Sequence, residues 1–106
     1  MGAKSWKPDE DGAGRLEIQT HAQDGSWWVA VRGEIDLATV AALEAELAGL
    51  GGRPIILDLS GVSFIDSTGL TLLVRTAGRV TIGAVSAAVD RLIQTCGLEQ
   101  ELRFAQ

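Results

Sequence analysis

The sequence is poor in the residues that carry most enzyme chemistry. Its 106 residues include one cysteine (Cys96), one histidine (His21), two lysines (Lys4 and Lys7) and no tyrosine. One cysteine excludes an intrachain disulfide and a cysteine zinc cluster. One histidine, falling at a predicted strand end, reads as a solvated residue and not a ligand. No apolar run approaches the ~18–20 residues that span a bilayer. Met1 to Gly14 is polar and lacks the apolar core of a signal peptide, so it reads as a flexible N-terminal tail on a soluble, cytoplasmic protein. Positive charge is also scarce: 9 basic residues face 14 acids, a formal net charge of −5. A nucleic-acid partner requires a basic face to neutralise phosphates, so proteins and small molecules remain.

What is present suits one small domain with one core, since 46 % of the residues are hydrophobic. Arg15 to His21 alternates apolar and polar residues, as a half-buried strand does. Asp24-Gly25 is a turn signal, and Trp27 to Arg32 is a second strand, giving a hairpin. The adjacent Trp27 and Trp28 should point to opposite faces. Gly33 to Asp36 breaks the period. A helical pattern follows from Leu37, with Val40, Leu43, Leu47 and Leu50 on one face, Asp36 as its cap and Gly49, Gly51 and Gly52 as its stop.

Ile55 to Leu59 reads as a central strand covered on both sides. A second helix starts near Ser67 and buries Leu70, Leu73, Val74 and Ala77. Val80 to Val85 is the next strand. Ser86 caps a third helix whose Val89, Leu92, Ile93 and Cys96 follow the i, i+3, i+4, i+7 rule, and Gly97 ends it. Leu102 to Phe104 is a possible last strand. The order β-β-α-β-α-β-α-(β) defines an α/β domain over residues 15–106, with a mixed sheet, packed helices and function at the strand-to-helix loops.

The stretch Ser63-Phe-Ile-Asp-Ser-Thr-Gly-Leu70 places an acid and two hydroxyls where the second helix begins. As a hydrolytic nucleophile, Ser67 has no histidine base at hand and no Gly-x-Ser-x-Gly elbow. A phosphate loop is missing. Asp36, Asp58 and Asp66 resemble a phosphoacceptor-aspartate cluster, but the required late lysine is absent, and Asp58 reads as a strand-end hydrogen-bond acceptor. Two readings remain. The residues cap the helix, worth roughly 1 kcal/mol. Or a hydroxyl is phosphorylated at a helix N-terminus, where dipole and free N–H groups favour negative charge.

The segments "RGEIDLATVAALEAEL", "IILDLSGVSFIDSTGL" and "VDRLIQTCGLEQELRF" together resemble the STAS domain of bacterial anti-sigma factor antagonists, in the family's order, from Arg15 to Phe104. The resemblance implies a non-enzymatic binding module without a cofactor. It implies phosphorylation at Ser67, with Thr68 the alternative acceptor, by an anti-sigma factor that is an ATP-dependent serine kinase. Unphosphorylated antagonist would hold that kinase and free a sigma factor, and a phosphoserine phosphatase would reset it. The implied partner-binding residues are Asp36, Thr39, Ser60, Asp66, Ser67, Thr68, Gly69 and Thr71. Gly69 would let the partner approach, and Thr71 replaces a common glycine on the exposed helix face. The sequence departs from the family in a short connection, Thr76 to Arg79. A STAS module in a lipid-transport ABC complex or a stress-signalling scaffold is the alternative that the same fold would serve.

Overall fold

The computed structural model describes residues 4–6 and 16–105. Five strands form one sheet in the order β1-β2-β3-β4-β5: β1 (Lys4–Trp6), β2 (Leu16–Gln23), β3 (Ser26–Ile35), β4 (Ile55–Ile65) and β5 (Val80–Val85). β1 and β2 pair antiparallel, as do β2 and β3, while β3, β4 and β5 run parallel. Helices α1 (Val40–Ala48) and α2 (Ser67–Arg75) make the crossovers, and α3 (Ala87–Thr95) follows β5. This is the small α/β domain with a mixed sheet that the periodicity predicts. Lys4–Trp6 falls in the segment expected to be a tail and forms an edge strand. The rest of that segment lies outside the described residues.

Alternation fixes which face of the sheet is dry. Leu16, Ile18, Val29, Val31, Ile55, Leu57, Leu59, Val80 and Ile82 point to one face and join Leu43, Leu47, Leu70, Leu72, Leu73, Val89 and Ile93 from the helices in a single core. Burying each such side chain contributes on the order of 1.5–3 kcal/mol. Trp28, Ala30, Ile56 and Asp58 take the other face and are half-buried. β4 is therefore central but has helices over one face only, not two. Trp27 packs partly against the core, and its indole N–H donates to the Gly51 carbonyl at 3.1 Å.

Three boundaries differ from the sequence pattern, each for a physical reason. β3 continues through Gly33 to Ile35, because Gly33 takes φ 109° at a register irregularity and the pairing with β4 resumes beyond it. β4 runs on to Ile65 for the same reason: long-range pairing with Gly33 to Ile35 holds it extended. α1 starts at Val40, not Leu37, and Thr39 rather than Asp36 stands at its cap position. The starts of α2 and α3 agree with expectation. The Ser86 hydroxyl accepts from the Val89 N–H at 3.2 Å. Cys96, expected in the core, sits just past α3 and is exposed. In place of a final strand there is a 3-10 turn, Glu99–Glu101, followed by a single bridge from Phe104 to Ile82.

Candidate functional site

The site forms where β3 and β4 end together. Ile35 and Ile65 are register partners, so Asp36 and Asp66 leave adjacent parallel strands side by side. The Asp66 N–H donates to the Ile35 carbonyl at 3.1 Å, which pins the two exits to each other.

Asp66 has extended backbone and caps α2. Its Oδ1 accepts from the Thr68 N–H at 2.9 Å, the Gly69 N–H at 3.2 Å and the Thr68 hydroxyl at 2.6 Å. Burial by itself pushes the Asp66 carboxyl up. Hydrogen bonds from the Thr68 hydroxyl and the N–H groups of Gly69, Thr68 and Leu37 outweigh it and hold the carboxyl below its ordinary range. Asp66 is thus a fixed anion whose Oδ1 is engaged by the first turn of α2.

Ser67 follows at the first helical position. Its side chain is exposed, and its hydroxyl has no hydrogen-bond partner among the described residues. Thr68 differs: its hydroxyl is committed to Asp66 and its side chain is half-buried. The structure therefore separates two hydroxyls that the sequence leaves equivalent. Thr71 lies one turn on, exposed, with its hydroxyl donating back to the Ser67 carbonyl at 2.8 Å. The N–H donors expected to be free for an added anion are mostly used, since those of Thr68 and Gly69 already serve Asp66.

Other implied surface residues have internal duties. Thr39 is buried; its hydroxyl donates to the Glu34 carbonyl at 2.7 Å and accepts from the Asp36 N–H at 3.0 Å. Asp36 Oδ1 accepts from the N–H groups of Ala38 and Thr39 at 3.0 and 3.1 Å, which shapes the turn before α1. Gly69 is also buried. A Cβ there would lie 2.6 Å from Ile35 Cγ2 and 2.9 Å from Ile65 Cγ1, so the close approach it permits is that of α2 to the sheet and not of a partner. Ser60 is not gathered in. It lies seven residues before Ser67 in β4, roughly 20 Å back along the strand, with its N–H on Asp58 Oδ1 at 2.9 Å. Among the described residues no group of three or more His, Cys, Asp or Glu side chains is placed to hold a metal ion.

Two apolar residues beside the site are exposed, which the sequence pattern does not predict. Leu37, expected to open a helix, is 77 % exposed, and Phe64 is 48 % exposed. They flank the Asp36 and Asp66 exits and give the surface around Ser67 an apolar component of the kind found at protein contacts. The only sequence hint at Leu37 is its place between Asp36 and a helix whose apolar stripe starts later.

The family model described as "Mlab, STAS domain" matches residues 18–104. An anti-sigma-B factor antagonist of Staphylococcus aureus is 38 % identical over 94 residues, covering 79 % of this chain and 87 % of that protein. Its counterpart in Staphylococcus epidermidis is 35 % identical over the same length. The crystal structure of an anti-sigma factor antagonist from Mycobacterium paratuberculosis superposes with a TM-score of 0.76 at 30 % identity, covering 84 % of both chains. A solved structure of the anti-sigma factor antagonist SpoIIAA in its unphosphorylated form superposes with a TM-score of 0.64 at 24 % identity, covering 84 % of this chain and 88 % of that one, a likeness of fold. No helix among the described residues is long and apolar enough to cross a membrane.

Proposed function

Because the chain belongs to the STAS-domain family of anti-sigma factor antagonists, we propose that it too is an anti-sigma factor antagonist, a phosphorylation-switched binding module and not an enzyme. While Ser67 is unmodified, the surface of Ser67, Thr71, Leu37 and Phe64 holds an anti-sigma factor that is an ATP-dependent serine kinase, and a sigma factor goes free. The kinase transfers the γ-phosphoryl group of ATP to Ser67 Oγ. The hydroxyl proton is lost, ADP leaves, and the complex dissociates. A phosphoserine phosphatase restores the hydroxyl by hydrolysis.

The observation that carries this reading is the contrast at the start of α2. The Ser67 hydroxyl is exposed and without a partner, while Asp66 and Thr68 complete the cap without it. Modification of Ser67 would therefore break no hydrogen bond of the α2 cap. Phosphorylation adds a charge of about −1.5 to −2. With the Asp66 carboxylate adjacent and the nearby N–H donors engaged, that charge is not absorbed within the domain. It stays on the surface and must be desolvated by any partner that docks there, alongside apolar Leu37 and Phe64.

A second reading is a STAS module in a lipid-transport ABC complex or a stress-signalling scaffold. Its support is that Asp66 and Thr68 explain most of the motif as a helix cap with no modification. The two readings part on one experiment. The protein is incubated with ATP and the candidate anti-sigma kinases of its own genome, and phosphate is mapped by mass spectrometry. A single phosphate on Ser67, followed by loss of kinase binding, supports the switch. Equal kinase affinity for Ser67→Ala and Ser67→Asp overturns it.

A further inference from the structure

The chain is acidic overall, yet three of its seven arginines line one depression at the end of the sheet opposite Ser67. Arg53, Arg79 and Arg103 line this shallow, open depression together with Thr81. They come from three separate segments: the loop before β4, the turn before β5 and the strand-like C-terminal segment. Among the described residues none of the three forms an ion pair, whereas Arg75 is paired with Glu44 at 3.2 Å.

The Arg53 and Arg79 side chains are held by uncharged groups, and Arg103 is placed by its backbone. The Arg53 guanidinium lies 5.1 Å from the Trp27 ring centroid. Trp27 is itself anchored, by its indole N–H on Gly51 and its backbone N–H on the Pro54 carbonyl at 2.8 Å. Arg79 donates to the carbonyls of Leu47 and Leu50 at the end of α1. The Arg103 backbone carbonyl accepts from the Ile82 N–H at 2.8 Å, which fixes its Cα beside β5. All three arginines are exposed and open to an anion from solvent, and guanidinium forks suit phosphoryl oxygens.

We propose that this depression, independent of the Ser67 switch, binds the phosphoryl groups of a small soluble phosphate ester, with Arg53 and Arg103 as the principal ligands and Arg79 and Thr81 completing the rim.

The test is a titration of the ¹⁵N-labelled full chain with inorganic pyrophosphate at constant ionic strength. The signals followed are the Thr81 and Arg103 amides and the Trp27 indole N–H. Saturable one-site shifts are expected. The Arg53→Gln/Arg103→Gln variant should bind at least about tenfold more weakly, with the remaining spectrum unchanged. The Arg32→Gln/Arg91→Gln variant removes the same charge from exposed positions on β3 and α3 and should bind within about twofold of the parent. Arg79 is left intact because it closes the end of α1. Absence of saturation, or equal weakening in both double variants, overturns the site. Displacement of pyrophosphate by ADP supports a soluble ligand. Arginine-dependent sedimentation with phosphatidylglycerol vesicles and no displacement by ADP overturns that source in favour of a lipid headgroup.

Discussion

Thr68 gives its hydroxyl proton to the Asp66 carboxylate at 2.6 Å, whereas Ser67, one residue earlier, gives its hydroxyl to no described group. The two side chains should therefore respond oppositely to removal. Ser67→Ala breaks no internal bond and should leave stability within about 0.5 kcal/mol, while abolishing phosphorylation. Thr68→Val loses a charge-assisted bond and should cost about 1–2 kcal/mol, while Ser67 still accepts phosphate. Urea denaturation and phosphosite mapping of both variants check the pair.

Asp66 makes the site dependent on pH. Its carboxyl is held below the ordinary value of 3.8 because the hydrogen bonds of the α2 cap outweigh burial. A depressed folded-state value means that the ionised form stabilises the fold. That contribution is complete above pH 3.8 and is lost as pH falls through the lower folded value. Asp66→Ala should cost about 0.5–2 kcal/mol at neutral pH. Asp66→Asn keeps an acceptor but loses the charge, so it should cost about 0.3–1 kcal/mol. The gap between parent and Asp66→Asn should close below pH 3.8. A gap that persists in acid would show that the charge is not the source.

Leu37 is 77 % exposed beside the Asp66 exit. An exposed leucine contributes little to the fold, so Leu37→Ser should leave the denaturation midpoint unchanged. If the surface around Ser67 receives the kinase, the same change should weaken binding by about tenfold or more, as loss of an apolar contact at an interface does. Calorimetry with the kinase that phosphorylates Ser67 checks it. Unchanged affinity would move the docking surface away from Leu37.

The sequence makes the order of strands and helices legible because local periods of two and 3.6 govern most elements. Asp66 and Ser86 mark their helices through capping chemistry that acts over two or three residues. The misread parts depend on long-range partners. The extension of β4 beyond Leu59 is dictated by β3, which no local pattern reports. Gly33 reads as a strand breaker, but its positive φ lets the strand pass an irregularity and continue. Asp36 reads as a helix cap and instead closes a turn, three residues before the α1 cap position at Thr39. The motif identifies Ser67 and Thr68 together, and only the Asp66 hydrogen bonds distinguish them. Gly69 belongs to the same motif by sequence, yet its role is in packing.

That role gives the final prediction. An alanine at position 69 gains roughly 1 kcal/mol of intrinsic helix preference over glycine. Against that gain, its Cβ would meet Ile35 Cγ2 at 2.6 Å, Ile65 Cγ1 at 2.9 Å and the Ile35 carbonyl oxygen at 3.2 Å. Two of these are side-chain atoms of buried residues, and the third is backbone of the strand that pins Asp66. Relief requires α2 to lift from the sheet, and overpacking of this kind costs about 1–3 kcal/mol. The clash should prevail, so Gly69→Ala should be destabilised in urea, by up to about 2 kcal/mol. Because the start of α2 moves with it, phosphorylation of Ser67 should slow even where the variant is fully folded. Ile35→Val removes one methyl group from the contact and should recover part of both losses. A Gly69→Ala protein as stable as the parent would mean that α2 has room to spare and that the glycine serves the surface after all.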